Sequence, residues 1–337
     1  MSRENEDRLD PRWLAHRFDE AKNEVRFVEY DRATRSSVPF LTDSYLPKKS
    51  FRSVSREEAR WAAHATAPIH FVFHSGFCCS TLFANCFDQP GLATSFSEPM
   101  ILNDLTGWRQ RGAASADVGR LLDDTLAFLS RPFAGDQASI VKPSTVANGL
   151  AKAMLHLRPE ARAVVMHAPL GDFLISIAKK GLDGRRWARE LFVAMRKEGM
   201  TSDFGFSDED YFGQTDLQIA AMAWLGQQRL FAGLLKTYPD RVRSLVSENF
   251  LDSPEPKLLA AAELFALHMS REQVTTAQSG PLAQNSKDGK PFGREAREAD
   301  YHAARAAYGD EVEKVRIWAE AVTESASVTT ELSNSLN

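Results

Sequence analysis

The spacing of apolar residues changes period sharply at one place in the chain. Ile69-His70-Phe71-Val72-Phe73 is a nearly continuous strand-like run, Ser75-Gly76 follows, and Leu82, Phe83, Cys86 and Phe87 then recur one and four apart, as on one face of a helix. The pattern predicts strand, tight turn, helix. Further along, Leu92 to Phe96, Ser139 to Pro143, Ala163 to His167 and Arg243 to Val246 read as four more short strands. Helical spacing fills the intervals at 116–130, 146–157, 216–237, 254–265 and 298–322. Strands that alternate with helices in this way predict a layered α/β fold.

Upstream, Trp13, Leu14 and Phe18 predict a short helix and Val25 to Tyr30 a strand. Ser55 followed three residues later by Glu58 marks a further helix start through a capping box. We therefore expect an amino-terminal extension over 1–65, a main domain over 66–325 and a disordered tail over 326–337, where Ser, Thr, Glu and Asn dominate. Residues 1–10, almost wholly polar, are expected to fray.

The 337 residues, 43% hydrophobic and 26% charged, suffice for a sizeable core. A net charge of −4 argues against a general binder of nucleic acid or of membrane surfaces, so the expected partner is a small molecule or a protein surface. The three cysteines all fall between 78 and 86 and cannot build a disulfide framework, which suits a reducing cytosol. A charged start and the lack of any 18-residue apolar window lead us to expect a cytoplasmic protein without a membrane span.

Chemistry concentrates at the strand ends. The turn Ser75-Gly76-Phe77-Cys78-Cys79-Ser80-Thr81 leads into a helix whose first N–H groups lack intrahelical partners, and Ser80 and Thr81 add hydroxyl donors. Phosphate or sulfate oxygens suit such a cradle, although an ordinary strand-to-helix turn has the same pattern. It is not a Walker loop, because Cys79 stands where the lysine belongs. Glu98 ends the second strand and Lys142 the third, at the carboxyl edge where α/β sheets bind ligands, and either also reads as a solvated surface charge. His167 ends the fourth strand, where most histidines satisfy a local hydrogen bond. Between Lys179 and Arg196 six cations crowd around Gly181 and Gly184, which reads either as a charged helix face or as a mobile basic lid. Neither loop cysteine has an arginine six residues on, against a phosphatase, and no His or Cys set has metal-ligand spacing.

The order of these landmarks resembles the P-loop sulfotransferases, most of all their bacterial and tyrosylprotein branches, over about 69–181 and more loosely over 243–267. That resemblance implies a three-layer α/β/α fold with a mostly parallel sheet of the P-loop nucleotide-binding type. It implies transfer of a sulfuryl group from 3′-phosphoadenosine 5′-phosphosulfate (PAPS) to a hydroxyl or amine, with release of 3′-phosphoadenosine 5′-phosphate (PAP) and no metal. Ser80-Thr81 match the family's Thr pair on the 5′-phosphosulfate, Glu98 the base, Lys142 the lysine that stabilises the transferring group, and Ser176 the serine on the 3′-phosphate. The loop of Ser286 and Lys287 resembles the family's carboxyl-terminal loop.

Departures accompany the resemblance. Phe77 occupies the position of the loop's basic residue, Cys78-Cys79 that of its Ser-Gly pair, and His167 that of the 3′-phosphate arginine. Two expected cations are thus missing, and Lys142 with Arg185, Arg186 or Lys287 are the candidates to compensate. An altered donor, a P-loop kinase-like phosphotransferase, or an inactive nucleotide-binding or scaffold relative are the competing expectations. The acceptor and the oligomeric state are not legible in the sequence.

Overall fold

The computed structural model describes residues 9–63, 65–283 and 294–336. The chain begins with strand β1 (Trp13–Asp19), β2 (Glu24–Glu29), helix α1 (Arg32–Ser36), β3 (Phe51–Ser55) and α2 (Arg56–Ala62). Next come β4 (Ile69–His74), α3 (Ser80–Cys86), β5 (Ala93–Ser97), α4 (Met100–Gln110), α5 (Ser115–Leu129), β6 (Ala138–Lys142) and α6 (Ala151–Leu157). The remainder is β7 (Ala163–His167), α7 (Leu170–Lys179), α8 (Gly181–Lys197), α9 (Asp208–Phe212), α10 (Asp216–Thr237), β8 (Val242–Val246), α11 (Ser247–Asp252), α12 (Pro254–Leu264), α13 (Arg271–Ser279) and α14 (Arg294–Ala326). The α/β expectation holds: a five-stranded parallel sheet in the order β5-β6-β4-β7-β8 is flanked by helices.

Two compact units make up the chain, the first Met1–Phe73, Thr81–Ala163 and Glu255–Gly289, the second His74–Ser80, Val164–Pro254 and Lys290–Asn337. In the first, β6 pairs in parallel with β4 on one side and β5 on the other, so all three strands end at one edge of the sheet. All residues of β4, β5 and β6 are buried, which explains why β4 reads as a nearly continuous apolar run rather than an alternating one. The same unit carries the antiparallel sheet β1-β2-β3. Arg17 bonds Asp104 of α4 at 2.8 and 2.9 Å, and the Phe18 ring lies 5.4 Å from that of Trp108.

β1 replaces the helix expected around Trp13, Leu14 and Phe18. A separation of four residues satisfies both the helical period and the two-residue period of a strand, and pairing with β2 decides between them. The predicted capping box is present: Ser55 accepts from the Glu58 N–H while the Glu58 carboxylate accepts from Ser55. The helix expected over 146–157 is divided into a 3-10 segment, Thr145–Leu150, and α6, while α4 and α13 are elements that the sequence pattern did not suggest.

In the second unit α10 is buried on nearly all sides, from Leu217 to Leu235, as its apolar spacing predicts. Of the two readings of the basic stretch, the charged helix face holds: it is the helix α8. Gly181, with φ +58°, separates α7 from α8, whereas Gly184 lies inside α8 where a Cβ would come within 2.4 Å of the Ile177 carbonyl oxygen. The second glycine allows close packing and does not break the helix. The tail expected to be disordered lies along β8, with Ser244 N–H donating to the Asn334 carbonyl at 3.0 Å and Leu336 N–H to Ser244 at 2.8 Å. Two short-range features of composition, few apolar residues and many hydroxyls, concealed the burial of Val328 and Leu336.

Candidate functional site

Within the first unit, Glu98 and Lys142 follow from the pairing of β5 with β6. Ser97 lies opposite Lys142 in the ladder, and the Glu98 N–H donates to the Lys142 carbonyl at 2.7 Å, so the two residues meet at the strand ends. The Lys142 ammonium stands 2.6 Å from Glu98 Oε1 and 5.2 Å from the centre of the Phe40 ring. Lys142 has no solvent exposure, and the Glu98 side chain keeps 19%. A buried ammonium requires a counter-charge, and Glu98 supplies it.

Glu98 also has a left-handed backbone, φ +52°, directly before Pro99 and the start of α4. For a residue with a side chain this conformation costs on the order of 1 kcal/mol. The strain aims the carboxylate back at β6 instead of letting the chain run on extended. Such a pair is a poor device for stability alone, so a strained carboxylate on a wholly buried lysine is a candidate for proton and anion chemistry.

The loop expected to cradle an anion belongs to the second unit up to Ser80. Its backbone is left-handed at Gly76 (+84°), Phe77 (+51°) and Cys79 (+58°). Backbone of mixed hand turns successive N–H groups to one side and makes concavities that suit anions. The loop is tied down at four points: Ser75 N–H donates to Met166 O at 3.0 Å, Cys78 Sγ to the same carbonyl at 3.4 Å, Gly76 N–H to His74 Nδ1 at 3.1 Å, and Gln227 Nε2 to Ser75 O at 3.1 Å. Ser80 and Thr81 are both buried. Cys78, Cys79 and Cys86 are free thiols, and burial pushes the Cys86 thiol up, out of reach of ionisation.

Phe77 turns its ring into an aromatic cluster, 5.0 Å from Trp187 and 6.0 Å from Phe173. His167 is 5% exposed, and burial lowers its pKa to about 4, a hydrogen bond with the Ala168 backbone offsetting part of the effect. It is neutral at ordinary pH. With Pro169, Leu170, Gly171, Trp224 and Val246 it lines a cavity of about 490 Å³. Ser176 is half-buried on α7.

Arg185 makes two bonds, of 3.1 and 2.9 Å, to the Glu311 carboxylate of α14, and Arg186 pairs with Glu190 on its own helix. Their charges are balanced inside the protein, so the basic lid that the sequence suggested is an ion-paired helix. Ser286 and Lys287 lie outside the described residues. Gln227 and His74 are site-shaping residues that the sequence reading passed over. The available signal was a Gln227-Gln228 pair within the otherwise apolar run of α10, and both side chains are wholly buried.

Among the described residues no group of three His, Cys, Asp or Glu is placed to hold a metal, and no helix is long and apolar enough to cross a membrane. No protein-family model matches this sequence, and no curated protein does. Among solved structures the chain is similar to the sulfotransferase domain from the curacin biosynthetic pathway, at 12% identity over 69% of this chain and 82% of that one, with a TM-score of 0.39.

Proposed function

We propose that this protein is a sulfotransferase-like enzyme in which Glu98 and Lys142 act on an acceptor and a sulfuryl group. The observation that carries the reading is the 2.6 Å contact between a strained carboxylate and a wholly buried ammonium at the ends of β5 and β6. In the chain, β4 is followed directly by the loop of mixed backbone hand.

In this reading Glu98 takes the proton of an acceptor hydroxyl or amine as the acceptor atom bonds to sulfur. The bond from sulfur to the donor's bridging oxygen breaks, and the electron pair leaves with the 5′-phosphate. Lys142 offsets negative charge on the sulfuryl oxygens, and the loop N–H groups with Ser80 and Thr81 receive the leaving phosphate. The donor is PAPS and the product PAP. The 5′-phosphosulfate suits the loop, whereas the neutral His167 offers the 3′-phosphate no charge.

Isothermal titration with PAP, PAPS and ATP with magnesium tests the reading. Binding of PAP and PAPS without ATP supports it. Magnesium-dependent ATP binding would make the protein a kinase-like phosphotransferase, and indifference to all three a scaffold.

A further inference from the structure

Six cations lie between Lys179 and Arg196, and five of them are engaged. Lys179 pairs with Asp300, Arg185 with Glu311, Arg186 with Glu190, Arg189 with Asp216 and Arg196 with Asp208. Among the described residues Lys180 has no carboxylate partner. Its ammonium lies instead over the Phe77 ring, 5.9 Å from the centre.

The helix explains this placement. Phe173 and Ser176 are three residues apart on α7, and Lys180, the residue that caps the helix, follows four later, so the three fall along one side. The Phe77 ring lies 6.0 Å from that of Phe173 at a steep angle and has the Lys180 ammonium over it, so this side of α7 is the one turned to the loop, and Ser176 falls between the two contacting residues along the helix. Gly184 leaves room for Lys180: a Cβ at 184 would come within 2.7 Å of Lys180 Cβ. Gly181 then turns the chain into α8.

We infer that Lys180, with Ser176 one turn away, binds a phosphate group of the nucleotide donor. The inference rests on the proposed donor chemistry and deepens it, since neither Phe77 nor the neutral His167 brings charge to the loop. Phe77 acts here as a positioning residue. The ring quadrupole holds an otherwise mobile ammonium beside the loop without neutralising it, as a carboxylate partner would. A surface lysine that merely complements the carboxyl end of α7 would be placed similarly along the helix, so the test must read ligand charge.

The experiment titrates PAP, adenosine 5′-phosphate and inorganic pyrophosphate into wild type, K180M, K180R and K179M, at low and high salt. A melt of each variant checks the fold. In K180M the PAP affinity is expected to fall about tenfold, and its salt dependence to flatten. K180R should stay within about threefold of wild type, and K179M should bind as wild type does. Adding F77K to K180M moves an ammonium onto the loop itself and should restore most of the lost affinity. PAP binding by K180M equal to wild type, or an equal loss in K179M, overturns the inference while leaving the donor reading in place. If wild type binds none of the three ligands, the donor reading falls and this inference with it.

Discussion

The Lys142 ammonium meets the Glu98 carboxylate at 2.6 Å, and the two are unequally buried, at 0% and 19% exposure. The asymmetry determines what each substitution does. Glu98→Gln leaves an ammonium without a counter-charge in the interior, and should cost about 3 kcal/mol. Lys142→Met leaves a carboxylate that water still reaches, and should cost about half as much. The double variant E98Q/K142M should be more stable than E98Q alone. Urea midpoints of the four proteins measure the coupling, and additive effects would show the pair to be energetically idle. Both single variants should lose sulfuryl transfer, with PAP binding by E98Q nearly intact. Retained turnover in E98Q would remove Glu98 from the role of base.

Two buried histidines make stability depend on acidity. Burial lowers His70, stacked on Phe265 and close to Arg162, to about 4, and lowers His167 to the same value. In the unfolded chain each takes up a proton near its ordinary value of about 6.5. The native state resists that proton, so the contribution is complete above about pH 6.5 and is lost as the pH falls toward 4. Each residue contributes on the order of 3 kcal/mol when the loss is full. Urea unfolding at steps between pH 7.5 and 4.5 should show a falling midpoint, with a shallower fall in His167→Gln. A midpoint unchanged to pH 5 would contradict the burial.

Two helical glycines separate packing from flexibility. Gly184→Ala brings a Cβ within 2.4 Å of the Ile177 carbonyl oxygen, which is backbone and cannot swing aside. Gly226→Ala meets the Cε end of Met195 at 2.7 Å, a flexible terminus. Alanine gains about 1 kcal/mol of helix propensity at each site. The gain is outweighed at 184, where a loss of about 2–4 kcal/mol is expected, and is roughly cancelled at 226. Thermal melts rank the two, and equal effects would refute the distinction.

The carboxyl-terminal strand partner should matter more than its composition suggests. β8 is an edge strand, and Ser244 pairs with Asn334 and Leu336 while Asn334 Nδ2 donates to Pro239 and Val242 carbonyls, both at 2.7 Å. Asn334→Ala should cost about 1–2 kcal/mol. Ending the chain at Glu331 should expose β8 and promote self-association, measurable by light scattering. A truncated protein as stable and monodisperse as the full chain would show the tail to be dispensable.

By itself the sequence determined which five segments become the strands of the main sheet and most of the helices between them, because strands and amphipathic helices write different periods into the chain. It also brought Glu98 and Lys142 forward, since a charge that ends an apolar strand is conspicuous. What only tertiary structure decided were features in which two elements meet. A separation of four left β1 ambiguous until β2 paired with it. Gly184 looked like a breaker until the Ile177 carbonyl was seen above it. The cations from Lys179 to Arg196 looked alike until carboxylates claimed five of them, Glu190 from within α8 and four others from outside it, and left Lys180 over Phe77. Local periodicity records which face of an element is apolar, but the partner of a charge is set by residues far along the chain.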